Sequence, residues 1–263
     1  MAKLTLAVFL TGGLVSTVAA ATTTSSVSFK PTAGATWNIM LSDVPKVSKA
    51  DNQDYHIWDY DMAEAPKSTI DAFHAKGHPV ICYFSAGTWE DYRADKNQFP
   101  KASLGKVVDG WPHEKWVDIR NQGVRDLMTQ RIATAQSKGC DGIDPDNVNV
   151  YENDTGFDLT KDDAVDYINF LAAQAHEKGM AFGLKNCGAI VDRVIGVSQW
   201  VITEQCAKYK ECAPYQPFIA ANKPVFQIEY NGVKKGCNQP NTEGFSTLIK
   251  HLSLDAYTKT CPS

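Results

Sequence analysis

Short apolar runs alternate along this chain with longer stretches whose apolar positions recur every three or four residues. His78 to Ser85, Met180 to Leu184, Trp200 to Thr203 and Val225 to Ile228 are such runs. A continuous apolar run of this length is the pattern of a strand buried on both faces. Trp37 to Leu41 and the aromatic, β-prone Tyr55 to Asp61 add two strands before them. Val124, Leu127/Met128, Ile132 and Ala135 predict a helix over Gln122–Lys138. Ala164, Ile168, Leu171 and Ala175 predict another, opened by a capping box at Thr160–Asp163 and stopped at Gly179. A third runs from about Pro66 to Lys76. Three helices thus end in Lys-Gly, at 76–77, 138–139 and 178–179, and a short apolar strand follows each. Such alternation predicts a parallel sheet. The last strand is the faintest, with Leu252 to Tyr257 as its expected position. Ala86 to Asp118 has neither period and reads as one long irregular segment, carrying Trp89, Tyr92, Arg93, Trp111 and Trp116. A loop that long in a compact domain is usually functional.

Polar residues fall at the C-terminal ends of the strands. Asp59 and Asp61 end one, Asp144 and Asp146 another, Lys185 and Asn186 a third, and Glu204 and Glu229 two more. In a (β/α)8 barrel that edge is the catalytic face. The alternation and its polar edge therefore fit an α/β fold in a single domain over 36–263, a TIM-like (β/α)8 barrel being one such architecture. An open doubly wound sheet also binds ligands at strand ends. However, no GxGxxG or P-loop follows any strand, so a nucleotide reading has no support.

Lys3, the mostly apolar Leu4 to Val18 and the small residues Val18-Ala19-Ala20-Ala21 read as a signal peptide over 1–20, followed by a polar linker over 21–35. The expected protein is secreted, and no other stretch is apolar enough for a membrane span. Seven cysteines fit an oxidising compartment. Cys206 with Cys212 and Cys237 with Cys261 are the expected disulfides, Cys82 and Cys140 read as small buried hydrophobes, and Cys187 is left free or paired. A net charge of −4 argues weakly against nucleic acid and permits a cationic substrate. A monomer is expected. Asn153-Asp154-Thr155 is a glycosylation sequon.

Gly139 to Asn149 concentrates the candidate chemistry, with three carboxylates at Asp141, Asp144 and Asp146 closing an apolar run. Asp is poor in strand interiors, and an unpaired buried carboxylate is disfavoured, so the cluster reads as a strand tip facing a polar cavity. Asp-Pro and Asp-Asn are also ordinary turn dipeptides. Glycosidic hydrolysis needs one carboxylic acid for the leaving oxygen and a second carboxylate as nucleophile or as base for water. Asp146 and Glu204 are the expected pair. Asp144 shares their face by strand alternation, and Lys185 is a candidate partner for one of the acids. Trp58, Trp89 and Tyr230 are candidates for stacking on sugar rings. Asp59, Asp61, Asn147 and Asn186 complete the expected binding surface. The six histidines lack metal spacing, there is no CxxC or GxSxG, and neither metal nor cofactor is expected.

Several stretches in one order carry a family resemblance. They are Tyr55 to Asp61, Val80 to Glu90, Trp116 to Ile119, Gly139 to Val148, Gly183-Leu184-Lys185-Asn186, Trp200 to Gln205 and Phe226 to Tyr230. Together, over about Thr36 to Cys261, they resemble glycoside hydrolase family 114, the endo-α-1,4-polygalactosaminidases, especially the secreted fungal type. The resemblance implies a TIM-like (β/α)8 barrel and internal cleavage of an α-1,4-linked galactosamine polymer, such as fungal galactosaminogalactan, by an Asp and a Glu. These map onto Asp146, in Asp-Asn-Val, and Glu204, in Thr-Glu-Gln. The chain departs from the family pattern at Asn149, where relatives often carry Asp, and at Asp144, where fungal relatives often carry Glu. A cationic galactosamine-rich polysaccharide would be drawn to a cleft lined by Asp59, Asp61, Asp144 and Asp146. The rival readings are a non-catalytic carbohydrate-binding barrel and a hydrolase of another α-glycan.

Overall fold

The structure, a computed structural model, describes residues 26–43, 46–51 and 54–261. The expected signal peptide and the start of the linker lie outside the described residues.

Eight parallel strands follow in order: β1 (Trp37–Met40), β2 (Ile57–Asp61), β3 (Val80–Ser85), β4 (Gly142–Asp146), β5 (Ala181–Lys185), β6 (Trp200–Glu204), β7 (Val225–Glu229) and β8 (Ser246–Ile249). Each pairs with the next, and the sheet curls until β8 meets β1. At that seam Trp37 Nε1 donates to the Ser246 carbonyl at 2.9 Å, and Ser246 Oγ donates to the Ala35 carbonyl at 2.8 Å. The antiparallel pair Lys259–Thr260 covers the free edge of β8, and Thr258 Oγ1 reaches Asn38 Oδ1 on β1 at 3.0 Å. The fold is a (β/α)8 barrel.

Alternation along the strands makes two cores. Trp37, Ile39, Ile57, Ile81, Trp200, Ile202, Phe226, Ile228 and Leu248 fill the barrel. Trp58, Tyr60, Val80, Cys82, Ile143, Phe182, Leu184 and Val201 face outward, against helices α1 (Lys67–His74), α2 (Gln122–Lys138) and α3 (Lys161–Glu177). Asn121 caps α2, and the Thr160–Asp163 capping box opens α3. All three Lys-Gly glycines adopt the left-handed conformation that ends these helices, with φ of 82°, 92° and 76° at Gly77, Gly139 and Gly179.

Four expectations need correction. The last strand lies at Ser246–Ile249, not at 252–257, because Asp255 folds that stretch into a turn: its carboxylate accepts from Tyr257 N and Ser253 Oγ. The segment 86–118 is not irregular. It holds an antiparallel sheet of Thr88–Glu90, Trp111–Val117 and Leu104–Val108, with Asp109-Gly110 as the hairpin turn. Cys82 and Cys140 are buried as expected, yet they form a third disulfide beside Cys206–Cys212 and Cys237–Cys261, leaving Cys187 free. Finally, the described part of the linker is packed rather than free. Val27, Phe29 and Ala35 cover the interior cluster at its N-terminal end, with the Phe29 ring 5.7 Å from that of Trp200.

Candidate active site

The C-terminal ends of β2 to β6 bring their inward-facing tips together over the apolar filling. Lys185, at the end of β5, is 1% exposed and sits at the centre. Its Nζ lies 3.3 Å from Asp144 Oδ2, 3.6 Å from Asp146 Oδ2 and 3.7 Å from Glu204 Oε2. The last two oxygens are therefore at most 7.3 Å apart, the sum of the two legs. Burial alone would lower the Lys185 pKa, but Asp144, Asp146 and Glu204 raise it well above its usual value, so the side chain stays an ammonium.

Asp146 and Glu204 hold partly buried positions above this ammonium, in a cleft of about 600 Å³. Tyr83 OH donates to Asp146 Oδ2 at 3.2 Å. Glu204 accepts from Tyr230 OH at 2.5 Å and from Asn186 Nδ2 at 3.4 Å, while Asn186 Oδ1 takes the Glu204 backbone N–H at 2.9 Å. Burial and then the Glu204 charge raise the Tyr230 pKa, which keeps its hydroxyl a donor. The residue after each of the three tips adopts the left-handed conformation: Asn147 at φ 60°, Asn186 at φ 53° and Gln205 at φ 59°. Each turn lifts the chain sharply off its strand, leaving Asp146 and Glu204 at the mouth and Lys185 just beneath it. Asn tolerates this backbone and Gln does not, so Gln205 carries local strain. Gly87 closes over the same turn: a Cβ there would lie 1.7 Å from the Asn147 carbonyl oxygen.

Of the expected site residues, Asp61, Asp146, Asn147, Asn186, Glu204 and Tyr230 line the cleft. Five others do not. Trp58 points out of the barrel, stacks on Tyr60 and meets Phe73 at a tilt, wholly buried, so no sugar can reach it. Trp89 faces away from the cleft, its Nε1 bonded to the Lys96 carbonyl, because its neighbour Glu90 takes the inward side. Asp59, Asp144 and Lys185 face inward but lie beneath the mouth, and both aspartates have zero exposure. Burial and then the Asp144 charge raise Asp59 well above the usual carboxylate range. Asp144 is pushed up to about 6, by burial first, against the opposing pull of Lys185. Both Asp59 oxygens and Asp144 Oδ1 lack a hydrogen-bond donor. Asp61 reaches the cleft already neutralised by the Arg93 fork, at 2.9 and 2.7 Å. Glu229 turns outward and accepts from Ala207 N.

The sheet over residues 88–117 supplies one cleft wall, in the stretch that the sequence marks as a long functional segment carrying Tyr92, Arg93, Trp111 and Trp116; Glu114 was not singled out there. Glu90, Tyr92, Arg93, Trp111, Glu114 and Trp116 all line the cleft. Trp111 is 48% exposed and offers the flat apolar face that Trp58 and Trp89 cannot. Tyr83 was also missed, although alternation back from Ser85 aims it inward. Asn149 and the sequon residue Asn153 lie on the β4 side of the rim.

Comparison with known proteins agrees with this geometry. The chain is similar to the crystal structure of Aspergillus fumigatus Ega3 in complex with galactosamine, with 40% identity and a TM-score of 0.85 over 91% of this chain and 100% of that one. It shares its fold with the glycoside hydrolase domain of PelA from Pseudomonas aeruginosa, at 14% identity and a TM-score of 0.68 over 87% of this chain and 99% of that one. No curated protein matches the sequence. The model of glycoside-hydrolase family GH114 matches residues 17–263. A barrel with two carboxylates across one ammonium at its mouth, matched over that length, is a glycoside hydrolase, and the chain belongs to family GH114.

Proposed function

We propose that this chain is a secreted, monomeric, endo-acting hydrolase of α-1,4-linked galactosamine polysaccharide, with Asp146 and Glu204 as its catalytic pair. The observation that carries the reading is the shared contact of both carboxylates with Lys185 Nζ, at 3.6 and 3.7 Å. Two acid groups no more than 7.3 Å apart can flank one glycosidic bond. One protonates the leaving oxygen, and the other attacks the anomeric carbon or activates water. Both geometries used by such pairs, about 5 Å for retention and the lower part of 6.5–9.5 Å for inversion, fit under that limit.

The rest of the site supports this chemistry. The transition state resembles an oxocarbenium ion, so positive charge develops at the sugar ring. Four carboxyl groups surround one buried ammonium here, and their excess favours that charge. Tyr83 and Tyr230 fix the rotamers of Asp146 and Glu204 by hydrogen bonds. The substrate class rests on the Ega3 relative, whose structure holds galactosamine, and on the acidic lining of the cleft. Secretion rests on the three disulfides and the N-terminal sequence. Among the described residues no helix is long and apolar enough to cross a membrane.

Incubation of the purified protein with deacetylated galactosaminogalactan, followed by mass analysis of the soluble products, tests the reading. A ladder of galactosamine oligomers is expected. Binding of the polymer with no oligomer release would leave a carbohydrate-binding barrel instead, and release only from another α-glycan would replace the substrate.

A further inference from the structure

Glu114 is a carboxylate of the cleft wall that has no ion pair among the described residues. Glu90 and Glu114 face each other directly across the antiparallel pair Thr88–Glu90 and Trp111–Val117. Like charges in that position destabilise a sheet. Glu90 is relieved: Tyr92 OH and Arg93 Nε bond it at 2.8 and 2.9 Å, and Arg131 lies 3.7 Å away. Arg93 is also committed to Asp61, and Arg131 to Asp95 and the Ser85 carbonyl. Lys115, beside Glu114 in the chain, lies over Trp89 on the opposite face. Among the described residues Glu114 has no ion pair, and its one hydrogen-bond donor is Thr88 Oγ1, at 2.9 Å from Oε2.

The bonds behind Thr88 give this carboxylate a direction. Because the Thr88 hydroxyl hydrogen goes to Glu114, the 2.5 Å bond between Ser85 Oγ and Thr88 Oγ1 has Ser85 as its donor. Ser85 Oγ in turn accepts from Asn147 Nδ2 at 3.0 Å. A chain of donors therefore runs from Asn147, the neighbour of Asp146, and ends on Glu114. It holds Glu114 as an acceptor, close to the catalytic Asp146.

We propose that Glu114 receives the ammonium group of a galactosamine unit bound beside Asp146, and that it thereby sets a preference for deacetylated units. An N-acetyl group carries no charge to offer Glu114. This rests on the substrate class proposed above and names the residue that reads it. Burial, and the charges of Glu90 and Asp146, push the Glu114 pKa up to about 7 against the pull of the Thr88 hydroxyl and Arg93. Tyr83 and Tyr92 also face it, but both have raised pKa values, from burial first, and stay neutral. Glu114 thus gains its charge as pH rises through about 7 in the empty cleft, and a bound ammonium draws that ionisation to lower pH.

The test compares wild type with Glu114→Gln, which keeps an oxygen for Thr88, on deacetylated α-1,4-galactosamine oligomers, with free galactosamine and free galactose as competitors. In the variant, KM is expected to rise about tenfold or more with kcat nearly unchanged, the loss of one charge-assisted hydrogen bond. Inhibition by galactosamine weakens by a similar factor while that by galactose does not change. The improvement of wild-type KM between about pH 5 and 7 flattens in the variant. An unchanged KM, an equal loss for both competitors, or a fall in kcat alone would overturn the proposal. Wild type that releases nothing from these oligomers would instead overturn the substrate class itself.

Discussion

Lys185 carries one positive charge among four carboxyl groups, and its removal has a readable outcome. Breaking a buried pair by deleting one partner costs about 3–5 kcal/mol, because it strands the charge left behind. Lys185→Met is expected to lower the melting temperature strongly at pH 7 and less at about pH 4. Without the ammonium the neighbouring carboxylates have raised folded-state pKa values, so their stability contribution is present at low pH and lost as pH rises. A deficit independent of pH, read by thermal unfolding, would contradict this arrangement. Asp59 behaves in the opposite way. Burial and then the Asp144 charge favour its protonated form, and Asp59→Asn substitutes a neutral side chain of the same size. Near wild-type activity and stability are expected at pH 7, together with loss of a protonated-carboxyl infrared band. At this scale Asp146, Glu204, Asn186 and Tyr230 were legible, because each ends or follows an apolar strand. Trp58 was misplaced for want of one step: alternation from Asp59 and Asp61 sends it to the other face. The roles of Glu114 and Trp111 depend on a cross-strand partner or a hairpin turn, which local spacing does not display.

The elements that hold the site are the strand-to-loop turns after β3 to β6. Gly87 permits the closest of these approaches, and Gly87→Ala would push a methyl group into the Asn147 carbonyl. The β4 turn must then shift, and Asp146 with it. A fall in kcat of about 10²-fold or more is expected, with circular dichroism unchanged, since an active-site displacement of about 1 Å already costs that much. Wild-type kcat would show that the turn does not position Asp146. The Cys82–Cys140 bridge ties β3 to the approach of β4 across 58 residues. Closing a loop of that size contributes roughly 4 kcal/mol in the chain-entropy model, so Cys82→Ala with Cys140→Ala should lower the melting temperature by many degrees. Helix ends, caps and the apolar strands were readable because local chemistry sets them. The bridge was not, because two buried cysteines in apolar runs look the same paired or free. Residues 252–257 were the faintest strand expectation, and the Asp255 turn occupies them instead.

At the scale of the whole molecule, three Lys-Gly endings and polar strand tips indicated an α/β fold with its site at one edge of a parallel sheet, and the family resemblance implied the barrel. Closure depends on long-range contacts that no period announces, from Trp37 to Ser246 and from Lys259–Thr260 along β8. Residues 27–35 read as a linker by composition, yet Val27 and Phe29 cover the barrel floor. The proposed mechanism makes one demand: Asp146 and Glu204 act together. The most direct measurement is product release from deacetylated α-1,4-galactosamine polymer by wild type, Asp146→Asn and Glu204→Gln, each checked for an unchanged fold by thermal unfolding. Both variants are expected to lose about 10²–10⁴-fold or more in kcat, the contribution of a positioned acid or base. Release near the wild-type rate by either well-folded variant would contradict the assignment of that carboxylate to the catalytic pair.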